Sequence, residues 1–468
     1  MSETIKLQNY ERKVTPLERI FNRCPYAIVA MIARIKGNIS KSMLKDAVSK
    51  VQQRHLNLRV RIYEDNDHNL WFTSEEVKEI PIEIIKRESD EHWIEIYQDA
   101  CKIPFDFEDR PAIRFILVRS PEISELIILC HHIICDGMSL AYLARDIMIH
   151  LGNPTREVEV LSDPVPIDKD NLPQDVSINA IVKYFINRIS KKWKKNEIYF
   201  DQEDYKNLNE AYWKIYKHQL LSIELSEAQT SALVDRCRKE GVTVNTALTA
   251  AFAGAQSIIQ VDEVNPNIVI AGNLRDRLQR PAGEAIGYFA GGVNLKYKYN
   301  SKTNFWDNAR NLHQRVKSLY INKNLFKELL PWCYLEPGIM ESLCYKMIGK
   351  LVPSDFPRHE KLSTFSNQDD VVSSLLKRQK MDSLDKLFLG TAVTNLTRLD
   401  FPKMYGLLEL DRLILHPGGM FPLTIVGLVL GAVTCAGKLS LLIEYTEETI
   451  DSATMEKIKE KALKFLFE

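Results

Sequence analysis

The sequence predicts an α/β fold in two lobes, and three observations carry that prediction. An uninterrupted apolar run, Leu126-Ile127-Ile128-Leu129-Cys130, has the character of a strand buried on both faces, and helical spacing of apolar residues begins soon after it, at Ser139. Residues 152–175 carry Pro154, Pro164, Pro166 and Pro173 among acidic residues without helical or strand periodicity, the composition of a linker. Beyond that linker the alternation of helix-like and strand-like runs starts again. The 468-residue length exceeds one typical domain, in keeping with two lobes. The expected division is residues 1–175, ending in the linker, and residues 176–468.

The elements follow in order. Ser40 caps a helix with apolar residues at Met43, Leu44, Ala47, Val48 and Val51. Strand-like runs occupy residues 58–62, 80–85 and 112–118 ahead of the buried run. After the linker, Ile178, Ile181, Val182, Phe185, Ile186 and Ile189 form an apolar stripe on a helix rich in Lys and Arg. That helix is a surface helix packed on one face; an acidic carrier protein, an anionic lipid surface or the phosphates of a CoA thioester are the ligands its charge would suit. Residues 226–238 and 244–255 show helical patterns, and 269–274 a strand that ends at Arg275. Residues 325–390 are helical and polar by turns, with a charged, serine-rich middle at 358–386 expected as a lid or insertion.

Residues 420–437 are free of charge and nearly long enough to span a bilayer. Pro422, Gly427 and Gly431 interrupt them, several residues are β-branched, and Ala436-Gly437-Lys438 makes a turn into a second apolar run. A buried β-hairpin is therefore expected in place of a membrane span.

Composition excludes several classes. Lys and Arg number 62, as do Asp and Glu, so no global field attracts nucleic acid or an anionic membrane. The eight cysteines are scattered without any CxxC spacing, which argues against a zinc site or a disulfide framework and fits a reducing compartment. The first 21 residues hold no sustained apolar core, so the expected location is cytoplasmic.

The chemistry concentrates at His131-His132-Ile133-Ile134-Cys135-Asp136-Gly137, where the buried strand gives way to a helix. Imidazole titrates near neutrality and can take and return a proton. Adjacent residues on a strand point to opposite faces, so the two histidines divide: one faces a site, the other the core. The same divergence argues against a shared metal ion, and no HExxH or acidic metal loop is present; no metal is expected. GxxxxGK[ST] and GxSxG motifs are also absent.

This motif resembles the HHxxxDG signature of the condensation-domain and CoA-dependent acyltransferase superfamily. The resemblance extends to Val51-Gln52-Gln53-Arg54-His55-Leu56-Asn57-Leu58-Arg59, to the 225–245 segment, to Asn273-Leu274-Arg275-Asp276-Arg277-Leu278 with Gly287-Tyr288-Phe289, and to Thr394-Asn395-Leu396 through Pro402, in family order. It implies two chloramphenicol-acetyltransferase-like subdomains in a pseudo-dimer, with the active site in a channel at their interface. The plant enzymes' DFGWG loop is absent, which favours the free-standing microbial branch. By matching position, the resemblance implies His132 as general base and His131 as a structural residue behind it. Asp136 would pair with Arg275 from the other half. Gly137 would let the backbone turn tightly. Thr394 and Asn395 would donate to substrate or oxyanion, or else cap a turn; Tyr288 and Phe289 are expected as packing residues.

The expected function is transfer of an acyl group from a CoA or carrier-protein thioester to a hydroxyl or amine of a small molecule. The alternatives are a free-standing condensation enzyme forming amides and a non-catalytic docking module. No permanently bound cofactor is expected, the donor thioester being a substrate, and the chain is expected as a monomer without a transmembrane segment, with peripheral membrane contact left open.

Overall fold

The structure, a computed structural model, describes residues 9–260, 267–379, 390–418 and 427–468. Two six-stranded sheets organise it, with a small three-stranded sheet beside them. The first six-stranded sheet runs, in spatial order, Met404–Tyr405, Leu408–His416, Ile28–Lys36, Ile123–His131, Ile113–Arg119 and Ile82–Lys86. The second runs Ala290–Lys296, Asn267–Asn273, Thr391–Leu399, Leu428–Cys435, Lys438–Thr446 and His218–Glu224.

The motif strand Ile123–His131 lies inside the first sheet, antiparallel to both neighbours, with His131 opposite Ile28. Its residues from Ser124 onward are buried because helices and sheet neighbours cover both faces. The helix Gly137–Gly152 leaves it directly, sealed at its start by the Asp136 carboxylate, which accepts from the Ser139 amide. Such caps recur: Ser40, Ser226 and Thr243 each receive an amide of the helix that follows.

The expected division at residue 175 is crossed. Strands Met404–Tyr405 and Leu408–His416 come from the second half yet complete the first sheet, giving Ile28–Lys36 a partner on its otherwise open edge. Helices Gln202–Ile215, Pro337–Ile348 and His359–Asn367 also send side chains, among them Tyr205, Tyr345 and Phe365, into the first core. The second core is built from helices Val244–Ile259, Phe305–Leu319 and Ser452–Phe467 against the second sheet.

Two expectations from sequence meet the fold. The hairpin forms as Leu428–Cys435 paired with Lys438–Thr446, turning through Ala436 (φ 50°) and Gly437 (φ 78°), the left-handed pair that a two-residue hairpin needs; its expected beginning at 420–426 lies outside the described residues. In the lid or insertion expected at 358–386, residues His359–Asn367 and Val371–Gln379 form two helices anchored by buried Leu362, Phe365, Val372 and Leu376, while 380–386 lie outside the described residues. Charge and serine on their outer faces masked an apolar inner face. Among the described residues no single helix is long and apolar enough to cross a membrane.

Candidate active site

The two histidines diverge. His131 is fully buried; its Nε2 stands 3.1 Å from the Cys24 carbonyl, its Nδ1 accepts the Ile133 amide at 3.4 Å, and Phe107 and Phe105 meet its ring edge-on. Burial pushes its pKa down to about 3, so it stays neutral and structural.

His132, at the first residue past the strand, is half-buried. Its ring packs against Phe21 (5.2 Å between centroids) and Tyr288 (5.7 Å, edge-on). Nδ1 lies 3.1 Å from the Cys135 carbonyl, so an Nδ1–H donated there leaves Nε2 as the proton acceptor. Nε2 faces Gly418, where a Cβ would come within 2.6 Å of it and whose φ of +89° suits glycine. Burial lowers the pKa of His132; the carbonyls of Cys135 and Pro417 and the Asp136 carboxylate oppose that without cancelling it. The neutral base is therefore favoured, and the same carbonyls accept the charge once a proton arrives.

Asp136 and Arg275 meet at 2.8 Å, both buried. Asp136 Oδ1 also accepts from the Ser139 amide at 2.7 Å, and Oδ2 accepts from the Phe289 amide at 2.8 Å. Arg275 donates further to the Ser139 hydroxyl (2.6 Å) and the Ala285 carbonyl (2.6 Å), and its guanidinium lies 4.6 Å from the Phe289 ring centroid. Burial drives the Asp136 carboxyl up, but Arg275 and the Ser139 amide outweigh it and hold the group below the usual carboxylate range. The site is thus a clasp between lobes, with Ser139 as a third member; the hydroxyl also contacts the Gly287 amide at 3.1 Å. Sequence reading named the Asp and Arg and took Ser139 only as the opening of the helix; its place in the clasp comes from the fold.

A second network stitches the same seam. Asp146 Oδ2 is 2.8 Å from His55 Nε2 and 2.9 Å from Arg54 Nε, and Arg54 and Arg145 both bind Glu284 of the second half. Asn57 donates to the Ile286 carbonyl at 2.9 Å. The sequence landmarks at 54–59, 131–137 and 275–289 therefore converge on one region.

Thr394 and Asn395 lie on strand Thr391–Leu399, lining a cavity of about 530 Å³ that reaches the motif through Asp136 and Gly137. The Asn395 side-chain oxygen accepts from the Thr397 amide at 2.7 Å, and Thr397 has φ 61°, so Asn395 is partly spent on its own turn. Gly137, expected to let the backbone turn tightly and approach the reacting carbonyl closely, is the first helical residue and is not among the left-handed glycines. Its small size makes room for Leu415 and Leu396, which a Cβ would approach to 3.2 and 3.3 Å. Tyr288, expected as a packing residue, lies against the His132 ring, and Phe21 joins it from the turn after helix Pro16–Arg19, whose Thr15–Glu18 capping box and Pro16 are a start signal that the sequence reading passed over.

On the seam near His416, the residue that precedes Pro417, the buried Glu444 stands between two imidazoles, 2.6 Å from His218 Nδ1 and 3.0 Å from His416 Nε2. Burial raises its carboxyl, yet His416 and His218 more than offset that, holding it far below the usual range. His416 belongs to the first sheet and Glu444 and His218 to the second, so the cluster spans the lobes.

Comparison with known proteins gives the same resemblance as the motifs. The family described as Condensation domain matches residues 21–157. A nonribosomal peptide synthetase, kk1B of Curvularia clavata, is 24% identical over 306 residues, which is 62% of this chain and 2% of that protein; this chain spans only a small part of the length of such relatives. Among solved structures, the TRI3 trichothecene 15-O-acetyltransferase of Fusarium sporotrichioides superposes with a TM-score of 0.63 at 11% identity, covering 98% of this chain and 94% of that one. Polyketide synthase associated protein 5 of Mycobacterium tuberculosis gives 0.59 at 15% identity, with 98% of both chains covered. The two-lobed α/β fold is the one that these two solved structures share.

Proposed function

We propose, for a chain with the condensation-domain fold and a Condensation domain match across its motif strand, that it transfers an acyl group from a CoA or carrier-protein thioester to a hydroxyl or amine. The observation that carries this reading is the state of His132: a half-buried imidazole whose Nδ1 is tied to the Cys135 carbonyl and whose lowered pKa keeps the ring neutral, with Nε2, beside Pro417 and Gly418, as the proton acceptor. Nε2 would remove the acceptor's proton as its oxygen or nitrogen attacks the thioester carbonyl. The tetrahedral intermediate would then collapse, breaking the carbon–sulfur bond, and the proton would pass to the departing thiolate. General base catalysis of this kind contributes about 10²–10⁴-fold, and orientation between the lobes supplies much of the rest.

Asp136 and Arg275 act on geometry. They face each other, and both Asp136 oxygens and both terminal nitrogens of Arg275 are engaged in holding the loop. Thr394 and the Asn395 amide line the adjoining cavity and are the candidates for steadying the oxyanion. A second reading, amide formation on carrier-bound substrates, is favoured by the peptide synthetase relatives. The non-catalytic docking role ranks below both because His132 is retained.

The test incubates purified protein with acyl-CoA and acyl-carrier donors against panels of alcohols and amines, reading products by mass spectrometry. Product formed by wild type and lost in His132→Ala supports the reading. Donor panels that yield no product with wild type, while the protein still binds carrier, would replace it with the docking role.

A further inference from the structure

The helix Ala180–Trp193 is held by one narrow edge. Ile186 and Trp193 are buried, Ile189 is half-buried, and Trp193 packs against Gly338 at the start of helix Pro337–Ile348. The rest of the helix stands out from the protein. Ile181, Val182, Tyr184 and Phe185 are exposed, Ile181 by 66% and Tyr184 by 63%. Four large apolar side chains exposed within five residues are unusual for a protein surface, where such groups are normally scattered singly.

Charge accompanies them. From Val176 to Asn196 the sequence has no acidic residue and six Lys or Arg. Arg188, Lys191, Lys192 and Lys195 form no ion pair among the described residues; Lys194 alone reaches a carboxylate, Glu336 at 3.3 Å. Helical spacing places Ile181, Tyr184, Phe185, Arg188 and Lys192 on one stripe, opposite the anchoring Ile186 and Trp193, and Lys195 follows in the turn past the helix end. The first two turns of that stripe are apolar and aromatic, and the later turns cationic.

We propose that this stripe docks the protein on an anionic lipid surface. A convex helix offers no pocket for a partner's side chain. A fluid interface needs none, because it takes apolar side chains below the headgroups while Lys and Arg stay level with the phosphates. The complementarity is to phosphate-bearing lipid: an acid-free run of cations beside bulky apolar groups suits both the negative surface and the acyl boundary beneath it. This docking stands on the helix alone and does not depend on the reaction assigned to His132.

The experiment is sedimentation of the purified chain with vesicles of phosphatidylcholine, and with vesicles in which part of that lipid is replaced by phosphatidylglycerol. Three proteins are compared: wild type, Ile181→Ser with Phe185→Ser, and Lys191→Gln with Lys192→Gln and Lys195→Gln. All substituted positions are exposed, so thermal unfolding should match wild type. Wild type should partition at least about tenfold more strongly onto the anionic vesicles, and each variant should lose about tenfold or more of that binding. Equal binding to both vesicle types would overturn the proposal. So would binding that salt abolishes but the Ile181 and Phe185 changes leave intact, since that is charge attraction without insertion. Full displacement of vesicles by soluble polyglutamate, with the same sensitivity to both variants, would reassign the stripe to an acidic protein.

Discussion

Arg275 and Asp136, separated by 139 positions in the chain, form a buried ion pair of 2.8 Å between the two halves of the protein. Each keeps further hydrogen bonds: the carboxylate from the Ser139 and Phe289 amides, the guanidinium to Ser139 Oγ and the Ala285 carbonyl. Breaking such a pair from one side strands the other charge at a cost of about 3–5 kcal/mol. Asp136→Asn and Arg275→Ala should each lower stability, and a double-mutant cycle on thermal unfolding should give a coupling of about 0.5–3 kcal/mol. Strict additivity would mean that the clasp does not exist in solution.

His132→Ala should fold as wild type and lose acyl transfer by at least about 10²-fold, the lower range for a missing general base. His131→Ala should behave differently. It removes a buried ring packed against Phe107 and bonded to Cys24, so loss of stability should dominate. Comparing melting temperature with kcat for the two variants separates the roles, and a stable, inactive His131→Ala would reverse them.

The pH profile tests the protonation state. Burial lowers the His132 pKa from its ordinary value near 6.5. The active form is the neutral ring, so kcat/KM should stay flat through neutrality and fall as pH drops, with a midpoint below about 6.5. A midpoint above that value would show that the ring is stabilised as imidazolium before substrate arrives.

Gly418 lies where a side chain would touch Nε2. Gly418→Ala puts a Cβ 2.6 Å from that atom and adds strain at φ +89°. Transfer should fall by about 10-fold or more through loss of access to the base, and His132→Ala introduced on top should cost far less than it does in wild type. Full activity in Gly418→Ala would mean that the acceptor approaches His132 from elsewhere.

Glu444 ties the lobes through His218 and His416. Its folded carboxyl lies below the unfolded one, so its ionised form adds stability above about pH 4.3, and that stability fades as pH falls toward the folded value. Glu444→Gln should cost about 1–3 kcal/mol at neutral pH by leaving buried donors poorly matched. The gap from wild type in chemical denaturation should narrow in acid; a gap that widens there would contradict the assigned sign.

What the sequence determined by itself was local or repeated in the family pattern. The apolar run at 126–130, the capping serines and the Ala436-Gly437 turn follow from side-chain chemistry acting over a few residues, and strands, helices and a hairpin formed there. Divergence of His131 and His132 followed from the pleat, and the Asp136–Arg275 meeting from the motif resemblance. Only the tertiary structure decided what depends on distant partners. An unpaired edge of Ile28–Lys36 recruits Leu408–His416 across the expected boundary, because backbone groups at a sheet edge require partners wherever the chain can supply them. Phe21, Tyr288 and Gly418 reach His132 from three remote segments, and Ser139 joins Arg275 to the motif helix. None of these contacts leaves a periodic trace, since packing against a ring depends on shape in three dimensions and not on spacing along the chain.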